Sequence, residues 1–355
     1  MAYKVAYGDQ VPLLTSWEWD EHFGLRSIMY PAYLSLPLHL LRFFGIDYNI
    51  LVSNSIVFMN TSLQVLGDFF LYLLAKQTIG REGAHIALVY SLLNQRINEI
   101  MGKTLSNGAE AAFSLSGLYY YSQLKPKFDK NMACMTCSIT MAFLVRSSNL
   151  VGWVPLALLK LFQSRDYFVA ILISGVCVTI PLFGLSVLAD SLYYGKLMVP
   201  QLNFVYINVI ANVAGNWFGT ESPYFYIIEL REFICYSEMF FKISVFGFCM
   251  FTFYDGAKIV PSIPKQNNHN ILINYVLTNF IVLSIIGHKE QRFMTQIFPI
   301  FGIFWAFCWL IVFRFAAKIE KQIKLPATNL AKIIFQVLFW MYCFKEIYGA
   351  SYLYN

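Results

Sequence analysis

Seven apolar runs, at 50–75, 84–101, 167–189, 239–255, 271–287, 296–315 and 330–348, constrain this chain more than any other feature. Each is long enough to cross, or nearly cross, a bilayer. Backbone in hydrocarbon must satisfy its own hydrogen bonds, so the runs are expected to be helices and the fold all-α and polytopic. Three shorter runs, at 109–123, 132–145 and 150–163, are too brief to cross upright and read as half-spans or helices wrapped against the others. Composition agrees, with 58% hydrophobic and 13% charged residues against about 25% charged in soluble domains. No repeat or linker divides the chain, which reads as one membrane domain over 1–355 with an insertion at 190–238. The stretch 28–45, aromatic-rich and broken by Pro31 and Pro37, is expected to lie in the interface or re-enter rather than span.

A net charge of +6 raises the question of nucleic acid, but the Lys and Arg residues are scattered among short loops and form no basic stripe. Nucleic acid is therefore not an expected partner. Loop charge instead sets orientation, because cytoplasmic loops are enriched in Lys and Arg. Lys318, Lys321 and Lys324 mark one cytoplasmic loop, Lys258 and Lys265 a second, and Lys125, Lys127 and Lys130 a third. The segment 190–238, with Asp190, Glu221, Glu229, Glu232 and Glu238 against Lys196 and Arg231, falls on the opposite side. Carried back to the start, the alternation leaves Met1 on that far side with no signal-type apolar region before it, so either the alternation is off by one crossing or a span belongs upstream. Cys134 and Cys137 have metal-like spacing, but inside an apolar helix they read as packing residues. Asn60-Thr61-Ser62 is a sequon placed within a span, where a glycosylation enzyme does not reach.

Between the runs 271–287 and 296–315 stands His288-Lys289-Glu290-Gln291-Arg292-Phe293. Charge at the end of a span is costly and is kept for a task or for anchoring, and Lys289 and Arg292 as snorkelling anchors are the plain alternative. The alternation places this cluster on the far side together with Glu18, Asp20, Glu21, Arg26, Lys103, Glu110 and Arg146. Cations there suit phosphate oxygens, and carboxylates suit sugar hydroxyls or proton removal.

The six-residue cluster resembles the signature of the multi-span endoplasmic-reticulum mannosyltransferases that use dolichyl phosphate mannose, a family with the GT-C fold. Leu14-Thr15-Ser16-Trp17-Glu18-Trp19, then Leu25-Arg26-Ser27 and Tyr30-Pro31, resembles the branch that adds the third, α1,2-linked mannose to the glycosylphosphatidylinositol (GPI) core. Thr104-Leu105-Ser106-Asn107 with Glu110, Tyr194-Gly195-Lys196 with Asn203-Phe204 and Asn208-Val209, and Phe218-Gly219-Thr220 with Pro223 follow in order. Three departures stand out. Ser16 is an extra residue between Thr15 and Trp17, Ser147 replaces a proline after Arg146, and the family's first span and acidic first-loop motif are expected just upstream of Met1.

The resemblance implies inverting transfer of mannose to a hydroxyl of the GPI precursor, at a site in the lumen of the endoplasmic reticulum. His288, Lys289 and Arg292, supported by Arg146 and Arg26, are expected to bind the donor phosphate, and Glu290, Glu18 and Glu110 to bind sugar or orient these cations. Asp20 or Glu21 would serve as base if this chain acts alone, the family's own base being expected upstream. No metal or cofactor is implied, the lipid-linked donor being a substrate. Two other classes remain open: a GT-C-like scaffold or partner subunit without its base, and a transporter. Ionisable residues gathered at one face, and no paired broken helices, weigh against the transporter.

Overall fold

A computed structural model describes residues 1–8, 16–228, 238–253, 268–323 and 326–353. Leu14 and Thr15 of the tryptophan motif, Glu229, Arg231, Glu232 and Cys235, the loop lysines Lys258 and Lys265, and Lys324 lie outside the described residues.

Helices carry the architecture, and no strand occurs among the described residues. In chain order they are α1 (Ala2–Tyr7), α2 (Met29–Phe44), α3 (Asn49–Leu93), α4 (Gln95–Gly102), α5 (Ser106–Tyr121), α6 (Lys130–Val145) and α7 (Leu150–Gln163). There follow α8 (Arg165–Tyr194), α9 (Pro200–Phe204), α10 (Val213–Phe218), α11 (Glu238–Phe253), α12 (Asn268–Ile285), α13 (Phe298–Ile323) and α14 (Ala327–Leu353). By length and composition α3, α8 and α13 are each able to cross a membrane.

Two of the expected spans, 50–75 and 84–101, are joined inside α3 by a reversal at Gly80, whose φ of 84° is available to glycine at little steric cost. The halves run antiparallel: Tyr72 stacks on His85, and the Ser91 hydroxyl donates to Asp68 at 2.7 Å. The second run is not one helix, because Asn94 ends α3 and its side chain caps α4 by accepting from the Ile97 N–H at 3.0 Å. The three short runs form α5, α6 and α7 within three residues of the expected limits, 14 to 16 residues each. At ~1.5 Å per residue such helices are about 21–24 Å long, short of a ~30 Å core.

Residues 29–44 form one continuous helix despite Pro31 and Pro37. Pro31 sits in the first turn, where its missing N–H costs nothing. Leu36, Leu40, Phe43 and Phe44 are exposed on one side of this helix, while Tyr30, Leu34 and Leu38 are buried on the other. The apolar run ending at 315 extends as helix to Ile323, so Lys318 and Lys321 stand on the end of α13 rather than in a loop.

Packing separates a dry centre from a lipid-facing rim. α13 is central, with Ile300, Ile303, Phe304, Trp305 and Phe307 buried. Gly247 of α11 lets the two helices touch, since a Cβ there would run into the Phe304 carbonyl oxygen. α8 is the opposite case and presents Leu172, Val176, Ile180, Leu185, Leu188 and Leu192 outward. An apolar exterior around an apolar interior is the arrangement of a polytopic membrane protein. Asn60 is buried and donates to the carbonyls of Met101, Gly102 and Lys103, closing the end of α4.

Candidate active site

At one end of the bundle the Trp17–Trp19 turn, the start of α5, the turn between α6 and α7, the end of α8 and the 288–294 segment meet. They enclose two cavities. One, of about 550 Å³, has mainly apolar walls including Phe143, Val151, Phe204 and Leu283. The other, of about 380 Å³, is lined by Ser27, Thr104, Ser106 and Asn107 among others, and by Tyr3 and Tyr30. Glu18, Arg26, Arg146 and Arg292 line both. Leu34, Ile56 and Val145 also line the smaller cavity, so three guanidinium groups stand in the wall between a mainly apolar compartment and one of mixed polar and apolar lining.

Each arginine is held differently. The segment carrying Arg26 is fixed through its backbone: the Tyr194 hydroxyl donates to the Arg26 carbonyl at 2.9 Å, and Asn203 donates to the carbonyls of Phe23 and Gly24. The buried Asp190 carboxylate accepts from the Ile28 N–H at 2.7 Å. Gly24 has φ of 50°, and a Cβ there would meet Met198 Sδ at 2.5 Å, so the turn needs glycine twice over. These contacts give a physical purpose to the Tyr194 and Asn203 motifs: they shape the turn that presents Arg26. Its guanidinium donates to Glu18 at 2.6 Å.

Arg146, 6% exposed, pairs with the buried Glu110 (Nε to Oε2 3.0 Å) and lies over the Phe293 ring at 5.5 Å. Behind it a polar chain penetrates the apolar bundle. Asn149 donates to Ser114 at 2.8 Å and to Gln296 at 2.7 Å; Gln296 donates to Asn279 at 2.7 Å, and Tyr275 to Gln296 at 3.0 Å. Trp153 donates to Asn149 at 3.0 Å. This chain joins α5, α7, α12 and the turn before α13 behind one guanidinium.

Arg292 is about a third exposed and donates to Glu290 at 3.0 Å; His288 Nε2 lies 3.2 Å from the same carboxylate. Burial works to raise the Glu290 pKa, but the hydrogen bond and charge of Arg292, joined by His288, outweigh it and hold the carboxyl below its ordinary range. Asn107 spans the arginines: its amide donates to the Arg292 carbonyl at 2.7 Å, and its oxygen accepts from Arg146 at 3.4 Å. Tyr226 secures the loop by donating to the Glu290 carbonyl at 3.2 Å.

Of the residues expected at the site, Glu18, Arg26, Arg146, His288, Glu290 and Arg292 line the larger cavity. Four do not line either cavity. Around Glu290 the backbone is extended, so neighbouring side chains alternate in direction and Lys289 turns away from the cavity. It is 5% exposed and donates to the Glu221 carbonyl at 2.8 Å, and burial lowers its pKa, partly countered by Glu221. Together with the Glu221 N–H bonded to the Gly287 carbonyl at 3.0 Å, it ties the segment around Glu221 to the 287–290 loop. Asp20 accepts from the backbone and ring of the exposed His22, which hold its pKa low, and Glu21 is exposed beside it. Glu110 acts from behind, through Arg146. Asn149, Gln296 and Tyr226 were not among the expected site residues, though Gln296, a polar residue at the start of the apolar run 296–315, was a visible sign.

A mannosyltransferase family model, described as Alg9-like, matches residues 10–354. The chain belongs to the Alg9-like mannosyltransferase family. Among its relatives are mannosyltransferase APTG1 of Arabidopsis thaliana, 26% identical over 89% of this chain and 55% of the relative. GPI alpha-1,2-mannosyltransferase 3 of Mus musculus is 27% identical over 81% and 50% respectively. Alpha-1,2-mannosyltransferase Alg9 of Drosophila melanogaster is 26% identical over 82% and 45%. The chain therefore spans about half the length of these Alg9-like relatives. In fold it is similar to ArnT from Cupriavidus metallidurans, in the structure bound to undecaprenyl phosphate, with a TM-score of 0.56, 12% identity, and coverage of 80% of this chain and 50% of that one. ArnT is a GT-C membrane glycosyltransferase, so the expected GT-C architecture is met.

Proposed function

We propose that this protein transfers mannose from dolichyl phosphate mannose, in α1,2 linkage and with inversion, to the GPI-anchor precursor at the lumenal face of the endoplasmic reticulum. The observation that carries the reading is that Arg26, Arg146 and Arg292 line both a mainly apolar cavity and a second one of mixed lining that holds Ser27, Thr104, Ser106 and Asn107. A lipid-linked sugar phosphate needs such a divide. Its isoprenoid chain belongs on the mainly apolar side, its phosphate at the guanidinium groups, and its sugar toward the mixed side where the acceptor enters. The similarity to GPI alpha-1,2-mannosyltransferases favours the third-mannose acceptor.

In this reading an acceptor hydroxyl attacks the anomeric carbon, the new C–O bond forms as the bond to phosphate oxygen breaks, and the hydroxyl proton passes to a carboxylate. Dolichyl phosphate leaves as an anion, so the arginines stabilise charge that develops in the transition state rather than donate a proton. His288 and Glu290 orient Arg292. Asp20 and Glu21 are not assigned the proton, because neither lines either cavity.

Purified protein in lipid nanodiscs should bind dolichyl phosphate mannose, and Arg292→Ala should weaken that binding by about tenfold or more, the loss of a charge-assisted contact. Unchanged binding by the variant overturns the phosphate assignment. Expression in cells lacking the third-mannose enzyme then tests turnover through return of GPI-anchored proteins to the surface. Donor binding without rescue would favour the scaffold reading.

A further inference from the structure

Glu18 is the one carboxylate among the described residues that lines both cavities, and its Oε1 accepts from Arg26 Nη2 at 2.6 Å. Its neighbours make this position purposeful. The Arg26 backbone is fixed by Tyr194, and Trp17, one residue before Glu18, packs against Phe23 and Trp217 at 5.3 and 5.5 Å between ring centres. Both ends of the pair are thus anchored while the charged tips remain partly open, 22% exposed for Arg26 and 29% for Glu18. The other two arginines of the wall have carboxylates that line fewer compartments: Glu110 lines neither, and Glu290 only the larger.

We propose that Glu18 is an exchangeable counter-anion: it occupies Arg26 until the donor phosphate displaces it, and the freed carboxylate then accepts hydrogen bonds from the acceptor's sugar hydroxyls in the 380 Å³ cavity. The proposal rests on the donor-binding reading above. Two anions compete for one guanidinium, so the phosphate must take over contacts that Glu18 gives up. The released carboxylate is already in the wall of the smaller cavity and needs only a side-chain rotation to face it. Loading of donor and affinity for acceptor become coupled, and the donor binds first. Glu18 is here a positioning and acceptor-binding residue, with no bond made or broken at its carboxylate.

The test is lipid binding to nanodisc-embedded protein, with dolichyl phosphate and uncharged dolichol as probes. Glu18→Gln should bind dolichyl phosphate more tightly than the parent, by about threefold, the scale of a partly exposed ion pair. Its affinity for dolichol should not change. A purely structural role for Glu18 predicts the opposite sign, weaker binding of both lipids, and that result overturns the proposal. Equal affinity of parent and variant for dolichyl phosphate overturns it as well. Should the parent fail to prefer dolichyl phosphate over dolichol, the donor-binding reading itself fails. Glu18→Asp, which keeps the charge, should restore parental affinity if the variant's gain is electrostatic.

Discussion

Arg146 with Glu110 and Arg292 with Glu290 are the same chemical pair in two settings. The first is sealed, with side chains 5% and 1% exposed, and the second is open, at 36% and 33%. Sealing makes the first pair a fixed part of the frame: its partners are protein atoms, and the Asn149–Gln296 chain braces it from inside the bundle. The open pair can exchange partners with a ligand at small cost because water already shares them. In the proposed phosphate site the first pair would be a rigid reference point and the second an adjustable clamp. Arg26, held by Glu18 at intermediate exposure, belongs with the clamp.

The largest expected effect lies at the sealed pair. Glu110→Ala leaves a buried guanidinium without its carboxylate and should destabilise the protein by ~3–5 kcal/mol. The same substitution at Glu290 should cost at most about 1 kcal/mol, as for exposed pairs. Reversible unfolding in detergent micelles checks both. If the two variants prove equally stable, burial does not distinguish the pairs and the comparison breaks.

A smaller effect is expected one step behind. Asn149→Leu removes the donor to Ser114 and Gln296 and the acceptor for Trp153, leaving buried polar groups unpartnered. Each such group costs ~1–3 kcal/mol, and repartnering among Gln296, Tyr275 and Asn279 should hold the total near ~2 kcal/mol. Donor affinity should fall along with stability, because Asn149 acts on the site only through Glu110 and Arg146. A loss of stability with unchanged donor affinity would separate the inner chain from the site.

The distinction between frame and clamp was only half visible in the residues. Bilayer length alone dictated most helices, since an apolar run of that size has few other uses, and even the short α5, α6 and α7 were legible. Reading 84–101 as one run failed at Asn94, where a capping side chain outweighs apolar continuity. Loop charge and motif order were enough to gather the arginines at one face. Direction was not legible: Lys289 sits between two cavity-facing residues and points backward because the backbone there is extended, a fact no charge count contains. Asp20 likewise satisfies His22 in a tight turn instead of reaching the cavity. Burial decided the rest, since Glu110 and Glu290 read alike as carboxylates until packing seals one and opens the other.

The smallest effect is the most discriminating for the open pair. Glu290 has a folded-state pKa below its unfolded one, so its ionised form is favoured by folding. The stabilisation is present above the unfolded value, about 4.3 for Glu, and is lost as pH falls through the folded value. With the side chain a third exposed, solvent screening limits the amount to roughly 0.5–1 kcal/mol. Melting temperatures of the parent and of Glu290→Gln should therefore differ at pH 7 and converge as the pH falls past the unfolded value and through the lower folded one, at constant ionic strength. Added salt at pH 7 should narrow the same gap, because a pair open to solvent is open to screening. For Glu110→Gln the gap should resist salt, since ions do not reach a pair with 1% exposure. Equal salt sensitivity at the two positions would mean that both pairs are wetted, and that Arg146 is part of the clamp rather than of the frame.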